Sequence, residues 1–290
     1  MTDVHAPIGV FDSGVGGLSV WREIVRLLPY EDTVYVADQA HMPYGSRSLE
    51  EVRRHCEGVV DFLLGQGVKV VVVACNSASA AALHHLRRVF PRTPFVGMEP
   101  AIKPAVERSR RGVIGVLATQ ATFQGELFAA LVTQYGHSAR VLPQVGWGLA
   151  QAVEAGATDA PETESLLREC LGPLIAEEMD HLVLGCTHYP FLASMMARLL
   201  GPEVTIVDPA PAVARQTRRL LDERDLLRPY RQAGRHRFCT SGERPDFAAL
   251  LARLVPEGGD RAVVGLSWDG VALAEAGLVA GTRGRTDGWV

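Results

Sequence analysis

The sequence predicts an α/β protein of two similar doubly wound domains, whose largely parallel sheets face each other across a cleft. Three observations predict it. Short apolar, β-branched runs alternate with stretches of helical period along most of the 290 residues. The apolar runs are unbroken by polar alternation, as expected of strands covered on both faces, which places them in parallel sheets with crossover helices. The chain also carries a weak internal repeat. "IGVFDSGVGG" (8–17) and "IGVLATQATF" (114–123) each open a half, and "VVVACNSAS" and "LVLGCTHYP" each follow later in their half.

Taken in order, "PIGVF" (7–11) reads as a strand and "GLSVWREIVRLL" (17–28) as a helix. "TVYVA" (33–37) then precedes the helical "SLEEVRRHCEGVVDFLLGQG" (48–67). "VKVVVVA" (68–74) leads into "SASAAALHHLRRVF" (77–90), with "PFVGM" (94–98) as the next strand. The second half supplies "GVIGVLA" (112–118), "ARVLP" (139–143), "HLVLG" (181–185) and "VTIVD" (204–208). After Asp208 a helical stretch, the strand-like "RHRFC" (235–239) and the helix-like "DFAALLARL" (246–254) are expected to rejoin the first domain. The domains are therefore placed at 1–98 plus 209–265 and at 99–208. The Gly-rich end, 266–290, reads as a loose tail.

Composition excludes several classes. A net charge of -4 offers no electrostatic case for nucleic acid or an anionic membrane surface. The Arg108-Ser109-Arg110-Arg111 run and the arginines of 215–219 read as solvated surface. No run of 18 apolar residues is present, and the first residues lack the pattern of a signal peptide, so neither a membrane span nor export is expected. Five cysteines in a core-forming chain fit reduced, cytoplasmic thiols better than a disulfide framework.

In doubly wound folds ligands sit beyond the carboxyl ends of the strands. Cys75 and Cys186 each stand at such an end, followed by Asn76 and Ser77 in one case and by Thr187 and His188 in the other. A helix starting after Cys75 would offer backbone N–H groups to an anion or thiolate. Asp12 ends the first strand and Asp38 the second, the latter with Tyr44 a few residues on. The Gly14-Val15-Gly16-Gly17 run lacks dinucleotide-binding spacing, and turn chemistry explains it. No C-x-x-C or H-E-x-x-H occurs, no lysine stands in a pyridoxal-phosphate setting, and no P-loop is present. Neither a metal nor a cofactor is therefore expected. A cysteine hydrolase needs one nucleophile and gains nothing from a second, opposed thiol. Moving a proton between the two faces of one carbon uses both, one as base and one as acid.

At these residues the chain resembles the cofactor-independent aspartate/glutamate racemase family. The likeness runs through "GVFDSGVGG", "ADQAHMPYG", "ACNSAS", "GMEPAIKPA" and "LGCTHYPFL", in the family's order, over residues 8 to about 250. It implies glutamate as substrate, because His188 stands where aspartate-specific members usually have Glu. It implies Cys75 as the acid/base serving D-glutamate and Cys186 as that serving L-glutamate, with Asp12 and His188 supporting them. Substrate contacts carry over to Asp12, Ser13, Tyr44, Gly45, Asn76, Ser77, Thr187 and His188, and acidic positions of lesser role to Asp38 and Glu154. Ser77 departs from the usual Thr but keeps the hydroxyl. The likeness further implies a homodimer that supplies D-glutamate to peptidoglycan. The alternatives are an aspartate-specific or other amino-acid racemase, and an inactive relative acting as a binding or regulatory protein.

Overall fold

The structure, a computed structural model, describes residues 3–229, 232–256 and 263–276. Eleven strands form two sheets among these residues. They are β1 Ile8–Asp12, β2 Thr33–Ala37, β3 Val70–Val73, β4 Phe95–Val96, β5 Val113–Ala118, β6 Arg140–Val145, β7 His181–Gly185, β8 Thr205–Val207, β9 His236–Thr240, β10 Val263–Trp268 and β11 Leu273–Glu275. One sheet runs β11-β10-β9-β2-β1-β3-β4 and the other β6-β5-β7-β8. Every neighbouring pair is parallel except β10 and β11.

The central strands β1, β2, β3 and β7 are buried along their whole length, which is why their sequences are continuous apolar runs rather than alternating ones. In register, Ile8 lies between Thr33 and Val70, so β1, β2 and β3 end close together at one rim of the sheet. Asp12, Asp38 and Cys75 project from that rim. After β8 the chain returns through the helix Ala210–Asp222, which packs on the helix Leu18–Leu27, and β9 then adds to the free edge of β2. At the opposite end of this sheet the buried ammonium of Lys69 donates to the carbonyls of Val4 and Leu226 and to Glu31. It thus ties the start of the chain and the returning segment to β3.

The expected loose tail from 266 onward is corrected over its first part. Val263 to Gly265 extend the sheet from β9, and β11 folds back on β10 from Leu266 onward, with Leu266 and Leu273 buried. The turn is closed by Asp269, whose Oδ1 accepts the N–H groups of Val271 and Ala272, and by Gly270 at φ +107°. Residues 277–290 lie outside the described residues. Among the described residues no helix is long and apolar enough to cross a membrane.

Candidate active site

On the first rim, Asp12 is fully buried, and its Oδ2 accepts N–H bonds from Gly17 (2.8 Å) and Gly14 (3.3 Å). Cys75 caps the helix Asn76–Val89. Its backbone is extended, and its Sγ accepts the N–H of Ala78 at 3.5 Å and lies 3.9 Å from Ser13 Oγ. Asp12 and Cys75 sit against each other. Burial pushes the Cys75 thiol well above its ordinary pKa, and the Asp12 charge adds to the effect against the pull of the Ala78 N–H. Burial likewise raises Asp12, opposed by the His188 cation, by the neighbouring Cys75 thiol and by the bond from the Gly17 N–H. The Cys75 thiol holds its proton.

On the second rim β7 ends at Gly185, and Cys186, Thr187 and His188 follow. No long helix begins here. A 3-10 turn, Tyr189–Leu192, comes next, so the helix N-terminus that serves Cys75 has no counterpart. His188 supplies the support instead. Its Nδ1 lies 3.6 Å from Cys186 Sγ and its Nε2 2.7 Å from Glu154 Oε1. Burial opposes the imidazolium, but the bonds to Cys186 and Glu154 outweigh it and hold His188 well above its usual pKa. Glu154 shows the matching shift. Burial would raise it, but His188 and the N–H donors of Val15 and Gln39 leave it below the ordinary value. Those donors lie at 2.6 Å (Val15 N) and 2.7 Å (Gln39 Nε2). Cys186, His188 and Glu154 thus form a thiol–imidazole–carboxylate relay whose middle member is cationic near neutrality.

Both thiols line one small cavity of about 20 Å³, together with Ser13, Tyr44, Gly45, Asn76, Ser77, Thr187 and His188. They are only 4 and 7% exposed, so whatever they act on is enclosed. Asn76 is buried, and both its side-chain polar atoms lack a hydrogen-bond partner among the described residues, which leaves a donor and an acceptor for a ligand. Asp12, Asp38 and Glu154 stand behind the lining. Asp38 accepts from Tyr44 Oη (2.7 Å), pairs with His41 Nδ1 (2.9 Å), and accepts from Ser241 Oγ and Trp268 Nε1 (2.8 Å each). It positions Tyr44 rather than facing the cavity.

Asp38, His41 and His55 also bring possible ligand atoms within 4.8 Å of one another. Both oxygens of Asp38 are already occupied, however, and the two imidazoles are stacked at 3.6 Å, which turns their in-plane lone pairs side by side. The geometry is that of a hydrogen-bonded support. A larger hollow of about 520 Å³ lies between Phe95 and Arg219, but its lining carries no thiol and no imidazole.

Residues 8–217 match the Asp/Glu/hydantoin racemase family. The chain belongs to that family. A curated glutamate racemase of Ectopseudomonas mendocina (strain ymp) is 48% identical over 89% of this chain and 97% of its own length. Among solved structures, a glutamate racemase isoform from Bacillus anthracis is 35% identical at a TM-score of 0.82, covering 90% of this chain and 97% of that one. The Francisella tularensis glutamate racemase in complex with D-glutamate is 27% identical at a TM-score of 0.80, covering 92% and 99%.

The racemase fold brings together residues that the sequence did not single out. Thr119 Oγ1, at the end of β5, meets Ser77 Oγ across the cavity at 2.9 Å, and Pro43 and Ala150 complete the lining. The repeat held a signal for Thr119, which occupies in "IGVLAT" the place of Ser13 in "IGVFDS". Gly14 and Gly16 are more than turn formers. A Cβ on Gly14 would collide with the Glu154 carboxylate, and one on Gly16 with the His188 ring, so both are small because the opposite wall closes on them.

Proposed function

We propose that this racemase interconverts L- and D-glutamate by moving the α-proton between two opposed thiols. Cys186 removes the proton from L-glutamate, and Cys75 delivers one to the other face; in reverse the roles exchange. The observation that carries the reading is that two cysteines from different sheets line a single cavity, each with its own proton partner. Asp12 takes up or returns the Cys75 proton, and the His188–Glu154 pair does so for Cys186. Ser13, Asn76, Ser77 and Thr187 with the backbone at Gly45 hold the carboxylates and amine, while Asp38 keeps Tyr44 in place. The relatives named glutamate racemase and the D-glutamate complex of the Francisella protein favour glutamate over aspartate.

On this reading residues 1–98 with 209–265 form one domain, to which the β10–β11 hairpin adds, and 99–208 form the other. A homodimer in the cytoplasm, making D-glutamate for peptidoglycan, completes it, and these three points rest on the family likeness. The test is polarimetry on each glutamate enantiomer with a chelator present and no cofactor added, repeated in deuterated water. Both enantiomers should lose rotation and take up deuterium at the α-carbon. Activity that a chelator abolishes and zinc restores would remove the two-thiol reading.

A further inference from the structure

A cavity of about 20 Å³ has room for roughly one water, so a five-carbon amino acid enters only if the two walls part and close again. Parting the walls has unequal consequences for the two thiols. The partners of Cys75 (Asp12, Ser13 and the Ala78 N–H) all belong to its own sheet and its flanking segments. Those of Cys186 do not. His188 is held by Glu154, and Glu154 is held by the Val15 N–H and the Gln39 amide, both from the opposite wall.

The Gln39 amide is itself aimed. Thr240 Oγ1 accepts the Gly242 N–H at 3.0 Å, which leaves its own hydrogen to donate to Gln39 Oε1 at 2.8 Å. The amide oxygen is thereby committed to Thr240 and the NH₂ to Glu154 Oε2. Opening the cleft would take from Glu154 two of the three groups that bond it.

Building on the racemase reading above, we propose that Gln39 is a positioning residue that couples closure of the cleft to assembly of the Cys186–His188–Glu154 relay, while the groups next to Cys75 stay in place when the cleft opens. Gln39 touches neither thiol; it acts through Glu154. Cys186 becomes a competent base only around an enclosed substrate, whereas Cys75 carries its partners in either state.

Racemisation rates cannot reveal this, because both directions use both thiols. Elimination from 3-chloroglutamate can. One thiolate takes the α-proton, the released electron pair forms the α–β double bond, and chloride leaves. The resulting enamine tautomerises to an imine, which water hydrolyses to 2-oxoglutarate and ammonium. The L-form uses Cys186 and the D-form Cys75. The variant is Gln39→Met, which keeps the length of the side chain and removes the donor.

The native protein should eliminate chloride from both forms. Gln39→Met should lose about tenfold on the L-form, the scale of one hydrogen bond to a charged group, and stay within about twofold on the D-form. Its glutamate racemisation should fall mainly in kcat. Thr240→Val, which frees the amide to turn, should show the same asymmetry at about threefold. The retained D-arm shows that the variant is folded. Equal losses on both forms, or none on the L-form, would overturn the proposal. A native protein that neither racemises glutamate nor eliminates from either form would instead overturn the racemase reading, and this inference with it.

Discussion

The two thiols occupy matching places in two halves of one repeat, yet their surroundings solve the same problem differently. Cys75 has a long helix behind it, an N–H aimed at its sulfur, and a buried carboxyl whose proton affinity is raised. Cys186 has no long helix, and an imidazole gripped by a carboxylate takes its place. The wall whose thiol keeps its proton sits opposite the wall that carries a cation. A repeated sequence pattern fixes where a thiol stands in an α/β fold, but the residues one and two positions on decide whether it meets N–H dipoles or an ion pair.

The largest expected effect tests whether the comparison concerns two equal partners at all. Cys75→Ser and Cys186→Ser should each reduce racemisation by about 10²- to 10⁴-fold, the range of a general acid or base. In each variant kcat/KM must stay equal for the two enantiomers, because mirror-image substrates have equal free energies. A variant that keeps near-native turnover would show that its thiol is a bystander. Next, Asp12→Asn and His188→Ala should each lower turnover by roughly 10²-fold. Steady-state rates near the native value in both would break the assignment of one proton partner to each wall.

Stability should separate the walls by sign. His188 has a raised pKa, so its contribution is full below its ordinary 6.5 and is lost as pH rises through the higher folded value. Glu154 has a lowered one, so its contribution is present above 4.5 and is lost as pH falls through the folded value. The pair therefore stabilises most between about pH 4.5 and 6.5. Urea melts of His188→Ala should show the largest deficit in that window. Asp12 runs the other way. An acid whose folded pKa is raised costs stability once pH climbs past its unfolded value of 3.8. Asp12→Asn should thus melt higher than the native protein at pH 7 while being nearly inactive. A lower melting temperature for that variant would show that the carboxylate is structurally required.

The smallest effect concerns the join between the walls. Ser77→Thr keeps the hydroxyl that meets Thr119 and adds one methyl, and should change kcat/KM by less than about threefold. Ser77→Ala removes the bond and should cost about tenfold. Equal effects of the two would mean that size, and not the hydroxyl, matters at residue 77.

The strands at the centres of both sheets were legible because covered strands are written as unbroken apolar runs, as in β1, β3, β5 and β7, whereas the partly exposed β6, β8 and β9 were read from mixed runs that fall within a few residues of their ends. The hairpin β10–β11 was not. "VVGLSWDGVALAE" mixes glycines and polar residues because the pair lies at the sheet edge, where Trp268 buries only part of its ring and reaches Asp38 through Nε1. The thiols, Asp12 and His188 were legible from their positions at strand ends. The bridging role of Glu154 was not, because its partners Val15 and Gln39 are 139 and 115 residues away in sequence. Nothing local to "AVEAG" records them. Gly14 and Gly16 were read as turn formers because a glycine that makes room for a distant side chain looks the same in sequence as one that bends the chain.

The order of the strands also has a consequence for how the chain is born. The sheet holding Cys186 is assembled from the single stretch between Val113 and Val207. The sheet holding Cys75 is not, because Thr33 on β2 waits for its partner His236, 203 residues further on. During synthesis from the N-terminus, β2 therefore spends most of translation as an open edge, while the inserted half can fold to completion first. The slow step of maturation should be the late arrival of β9 on β2, with its large loop-closure cost. A released chain truncated just after Asp208 should then protect the 113–207 region from protease while leaving Thr33–Ala37 open to pairing with another chain's edge.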